Sequence, residues 1–181
     1  MDLGYSKHMN VLLDLRPRQW DLITSPRQKQ NHLLVAITYL AQNGPLIVFD
    51  CGRQFDSSVV ARAAHGRQEI IDRIKIQRAF ICYEAVKLLE QTPIGKTPIL
   101  VLDFLSTFYD ENVKMNTRKY LLESSLNHFQ RLSRGAGLVV SVYLPPASAD
   151  TLYLFERLQS AAPHVLAYES PLHSSSQLSL F

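Results

Sequence analysis

The chain has 181 residues, 46% of them hydrophobic, which suits one domain with a substantial core. Its 19 basic and 16 acidic side chains leave a formal charge of +3, which permits contact with an acidic polymer without requiring it. Cys51 and Cys82 lie in apolar stretches without metal-type spacing, the histidines are scattered, and no segment has the length and apolarity of a membrane span. These features argue against a disulfide framework, a metal site or a membrane partner, and the expectation is a reduced, cytoplasmic protein.

In chain order, the first helical period runs from His32 to about Gln42 and stops at Asn43-Gly44. LIVFD (46–50) is an apolar run closed by an aspartate, the pattern of a strand buried on both faces. Ile74 and Ile76 alternate with Lys75 and Gln77 as in a short strand, and a helix follows over roughly Ile81 to Glu90. PILVLD (98–103) repeats the buried-strand pattern. Leu122, Leu126, Phe129 and Leu132 then share one helical face, ending near Arg134 where Gly135 and Gly137 supply the stop. LVVSVYL (138–144) is a third buried strand, and HVLAY (164–168) a last one.

This alternation predicts an α/β fold, doubly wound, with a mostly parallel sheet and helices on both faces. Ligands of such sheets bind beyond the carboxyl ends of the strands, where Asp50 and Asp103 would both stand. The plainer alternative is that each aspartate ends a strand and begins a turn. Ser25, Ser106 and Ser141 have no neighbouring histidine and acid to suggest a nucleophile, so turn or surface hydroxyls are expected.

Five segments in register, LITSPRQKQNHLLVAITYLA, LIVFDCGRQFDSSVVARAA, RIKIQRAFICYEAVKLLEQ, PILVLDFLSTFYDE and RLSRGAGLVVSVY, resemble the core of the RecA/RadA recombinase superfamily. The resemblance implies a leader over residues 1–20, a RecA-like core over 21–170 and a flexible tail over 171–181. The family's phosphate loop falls on SPRQKQNH, Ser25 to His32. A working loop needs G-x-x-x-x-G-K-[ST], with glycines to let backbone N–H groups close on phosphate, a lysine for the outer phosphates and a hydroxyl for magnesium. Here the glycine positions hold Ser25 and Gln30, the lysine position Asn31 and the hydroxyl position His32. The place of the family's water-positioning glutamate falls on Gly52, while Asp103 keeps the magnesium-side position as a vestige. The expectation is a member without ATP hydrolysis and without a nucleotide cofactor.

Without phosphate chemistry, the fold could hold DNA or a protein partner. FYDENVKMNTRK resembles the first DNA-contacting loop of recombinases in position, which makes Lys114, Arg118 and Lys119 candidate contacts to single-stranded DNA, and LPPASAD takes the place of the second. Asp110 and Glu111 dilute the first loop, and a solvated helix face is the alternative reading.

The chain stops on HSSSQLSLF, with no obvious core for Leu178, Leu180 and Phe181. QLSLF, comprising Gln177, Leu178, Ser179, Leu180 and Phe181, resembles the pentapeptide by which bacterial proteins dock on the β sliding clamp. A glutamine amide would hydrogen-bond at one subsite while leucine and phenylalanine fill an apolar cleft, and SPLHSSS ahead of it is a polar leader. The alternative is that Leu180 and Phe181 cap the chain's own core.

Fold and tail together resemble the ImuA-type proteins. They imply a non-catalytic accessory of bacterial DNA repair and translesion synthesis, within the SOS response to DNA damage, whose partners are the clamp, a translesion polymerase or other repair protein, and single-stranded DNA. Two other readings stay open: a cell-division regulator resembling SulA, which leaves QLSLF unexplained, and a recombination mediator on single-stranded DNA.

Overall fold

The computed structural model describes residues 15, 17–25, 31–144 and 148–167. Six strands form one parallel sheet: β1 (Trp20–Ser25), β2 (Leu46–Asp50), β3 (Ile74–Arg78), β4 (Ile99–Leu102), β5 (Leu138–Tyr143) and β6 (His164–Ala167), in the order β3-β2-β4-β5-β1-β6. The helices are α1 (Asn31–Gln42), α2 (Ser57–Ala63), α3 (Gln68–Ile71), α4 (Cys82–Gln91), α5 (Met115–Ser133) and α6 (Ala149–Ala161), with a 3₁₀ turn over Phe104–Phe108. The expected doubly wound parallel sheet is what the chain forms.

Side-chain alternation along each strand divides the core in two. Leu46 and Val48 of β2, Leu100 and Leu102 of β4 and Val139 of β5 pack with α1, α2 and α3. Phe49, Ile99, Val101, Leu138, Val140 and Val142 point the other way, onto α4, α5, α6 and the 3₁₀ turn. The chain travels from β1 through β2 to β3 using the first face only. It returns through β4 and β5 to β6 using the second. Direction and face must reverse together if every crossover keeps one hand.

Four rings anchor the second face. Phe129 of α5 lies 5.2 Å from Trp20 of β1 and 5.0 Å from Phe104, whose ring is in turn 4.9 Å from Phe108. The strand at Trp20–Ser25 carries no continuous apolar run, because Asp21, Thr24 and Ser25 interrupt it, yet it is paired on both sides. α6, also unanticipated, is set by a capping box in which Ser148 accepts from the Thr151 N–H. At the far end of α1, the Arg73 guanidinium donates to the carbonyls of Ala41 and Gln42 at 3.2 and 2.9 Å and so completes the helix terminus. Among the described residues no helix is long and apolar enough to cross a membrane.

Two outcomes follow from this packing. Phe129→Ala, which removes a fully buried ring touching β1 and the 3₁₀ turn, should cost about 3–5 kcal/mol in urea unfolding. Asp21 lies half-buried beside His164 of β6, and desolvation raises its pKa above 3.8, opposed in part by the imidazole. With the folded pKa above the unfolded one, the contribution of Asp21 is most favourable below the unfolded value and is lost as pH rises through the folded value. The melting temperature of Asp21→Asn relative to the parent chain should therefore climb between pH 3 and pH 7, a window framed by ordinary carboxylate titration.

Candidate functional site at the carboxyl edge

β2 is followed by helices on one face of the sheet and its neighbour β4 by elements on the other, so the chain parts between them. Asp50 and Asp103 stand at that parting, the position expected of a crevice in this class of fold. Both are buried, at 1% and 6% exposure.

Asp50 closes the loop that follows β2. Its Oδ1 accepts from the Gln54 N–H at 2.7 Å, and Oδ2 accepts from the Phe55 N–H at 3.2 Å and from Arg78 Nε at 3.3 Å. This carboxylate is thus satisfied by two backbone amides and one guanidinium from β3.

Asp103 adopts a left-handed conformation, with φ of 48° and ψ of 53°, which aspartate tolerates better than most residues. Its backbone N–H donates to Ser141 Oγ at 3.0 Å, and Oδ1 accepts from the Tyr143 N–H at 3.4 Å, so β4 and β5 are tied beyond their ladder. Gln54 bridges from the other side: Nε2 donates to the Gly52 carbonyl at 2.7 Å and reaches Asp103 Oδ2 at 3.5 Å, while the Tyr143 hydroxyl reaches Gln54 Oε1 at 3.5 Å. Ser106 Oγ donates to the Cys51 carbonyl at 2.8 Å. Burial, with Asp50 and Asp103 alongside, pushes the Cys51 thiol far up, so it stays protonated.

At Gly52 the packing leaves no room for a side chain, a carboxylate included. A Cβ there would come within 2.3 Å of Asp103 Oδ2 and 2.5 Å of Asp103 Cβ. Two chain segments meet without space for any side chain.

The remaining expected residues are placed as follows. Ser25 is the buried last residue of β1, registered with Tyr143, and its carbonyl accepts from the Leu144 N–H at 3.2 Å. Gln30 lies outside the described residues, Asn31 begins α1, and His32 is half-buried in its first turn. Lys114 is exposed at the start of α5, and the Lys119 ammonium sits 4.1 Å from the centre of the Tyr153 ring. Arg118 is a correction to the expected surface trio. It is 4% exposed, donating to the Phe108 carbonyl and to Asp150. The helical period puts Arg118 one step from Lys119, but its neighbours Leu121 and Leu122 face the core and carry it inward. Gln177, Leu178, Ser179, Leu180 and Phe181 lie outside the described residues.

Gln54, Arg78, Ser141 and Tyr143 complete the edge and were not legible as a set, since they converge from three segments, the loop after β2, the end of β3 and β5. Among the described residues no three His, Cys, Asp or Glu side chains come together as metal ligands. No family model matches the chain, and no curated protein matches it.

Gly52→Ala should destabilise the fold by about 1–3 kcal/mol, the scale of overpacking. In a chain already carrying Asp103→Gly the same change should cost clearly less, and the coupling read from a double-mutant cycle of urea midpoints checks the contact.

Proposed function

We propose that this chain is a RecA-like accessory protein that works without hydrolysing ATP and docks on the bacterial β sliding clamp through Gln177–Phe181. The observation that carries the reading is the pentapeptide QLSLF, matched at all five places and preceded by the polar stretch SPLHSSS. A glutamine amide with leucine and phenylalanine anchors is the chemistry an apolar cleft with one polar subsite selects. Placement in translesion synthesis, beside a specialised polymerase, rests on that tail together with the resemblance of the core segments to recombinases.

The carboxyl edge supports the non-catalytic half of the proposal. Asp103 is engaged by the Tyr143 amide and the Gln54 side chain, and Gly52 is pressed against it. Ser25 is held in β1 by strand pairing. These residues do not fit a magnesium nucleotide: the carboxylates of the edge brace loops, and a glutamate at position 52 would overlap Asp103. A core that braces rather than turns over suits a tethered accessory, whose contribution is to raise the local concentration of what it carries near a ring with repeated sites. Lys114, exposed at the start of α5, and Lys119 are the cations left for a weak contact to single-stranded DNA.

The decisive measurement is a titration of purified clamp with the full chain and with a version ending at Ser176. The full chain should bind and the shortened one should not; equal affinity removes the tail from the proposal. Phe181→Ala should weaken docking by more than about 1 kcal/mol with the melting curve unchanged, whereas a large fall in melting temperature would assign the ring to the chain's own interior. Binding to the division protein FtsZ together with indifference to the clamp would favour the SulA-like reading instead.

A further inference from the structure

Arg118 carries a buried charge that the fold answers only in part. Its Nη1 donates to the Phe108 carbonyl at 3.3 Å and its Nη2 to Asp150 Oδ2 at 2.9 Å. Among the described residues its Nε is buried without an acceptor. The Nε–Nη2 edge of a guanidinium matches two oxygens of one oxyanion, and here a single carboxylate oxygen meets only half of it. A buried polar group left unpaired is costly, so the edge favours any ligand that can supply the second acceptor.

The place of that missing oxygen is defined by α6. Asp150 is the second residue of this 13-residue helix, so the guanidinium is aimed at the helix N-terminus, where backbone N–H groups and the helix dipole favour negative charge. The Asp150 side chain is 52% exposed, against 4% for that of Arg118. Its carboxylate therefore stands between the arginine and solvent. Lys119 follows Arg118 on α5 and rests on the ring of Tyr153, less than one turn beyond Asp150 on α6, and Tyr120 beside it is 73% exposed. Asp110, which acts on the Cys82 thiol in the opposite sense to Arg118, has its Oδ1 engaged by the Asn112 backbone and side-chain amides.

We propose that the start of α6 is a seat for a phosphate-type oxyanion, for which the Asp150 carboxylate is an internal stand-in. An incoming oxyanion displaces the carboxylate toward solvent, takes both Nε and Nη2 of Arg118, and accepts from the first-turn amides of the helix. The tail takes no part, so this inference stands or falls separately from clamp docking.

The test uses the full chain and follows the Arg118 Nε–H and the Ala149 and Asp150 amide resonances by NMR during titration with inorganic phosphate, with chloride at equal ionic strength as control. Phosphate should move these resonances and chloride should not. Asp150→Asn, which removes the competing charge at an exposed position, should tighten phosphate by about tenfold, the scale of one charge-assisted hydrogen bond. A parallel titration uses a dT oligonucleotide of about 12 nucleotides. If it moves the same resonances, competes with phosphate and is weakened by Lys119→Ala, the natural source is a nucleic-acid backbone; if only phosphate binds, the source is the free anion, and the seat stands in either case. Phosphate that leaves Arg118 and the α6 amides unmoved in both the parent chain and Asp150→Asn overturns the proposal.

Discussion

Where β2 and β4 leave the sheet, the Gly52 backbone and the Asp103 side chain touch so closely that only a hydrogen atom fits on the glycine. The rest of the carboxyl edge is arranged around that contact. The left-handed turn at Asp103 aims its carboxyl at Tyr143 and Gln54, Ser106 turns back to the Cys51 carbonyl, and Asp50 gathers the loop that Gln54 and Phe55 begin. In this fold class the same edge is where loops stay apart to admit a ligand. Here the side chains of Asp50, Gln54, Asp103 and Tyr143 hydrogen-bond across that edge. The polar groups are satisfied, and the cost of burying two carboxylates is offset by backbone amides, an arginine and a glutamine amide.

The parts of the fold that could be read in advance are those where burial on both faces leaves a continuous apolar run. LIVFD, PILVLD and LVVSVYL each became central strands, and the helical stripe of Leu122, Leu126, Phe129 and Leu132 became the inner face of α5. β1 escaped because Asp21, Thr24 and Ser25 dilute its pattern; its place in the sheet comes from pairing with β5 and β6, which is information distributed over more than a hundred residues. α6 escaped because its start is specified by Ser148 and Thr151, a local signal easily taken for a loop.

For the site, Asp50 and Asp103 could be found by position alone, since an aspartate closing a buried run must emerge at the strand's carboxyl end. Their partners could not. Tyr143 and Gln54 are 89 residues apart in the chain. Arg118 was misplaced for a related reason: a basic residue beside Lys119 reads as solvated, and only the helical phase that buries Leu121 and Leu122 shows otherwise.

The pairing of β1 with β5 sets a constraint on how the molecule comes into being. Trp20 registers with Leu138, so β1, the first strand among the described residues, waits for 118 further residues before its main neighbour exists. At ordinary synthesis rates of about 5–20 residues per second that interval is roughly 6–24 s. During it Trp20 and Leu22 have no partner on that side, and long-range parallel pairing is slow even once the strands are present. The nascent chain is thus exposed to aggregation and to chaperones until β5 emerges from the ribosome, and changes in β5 would be felt first as a yield of folded protein.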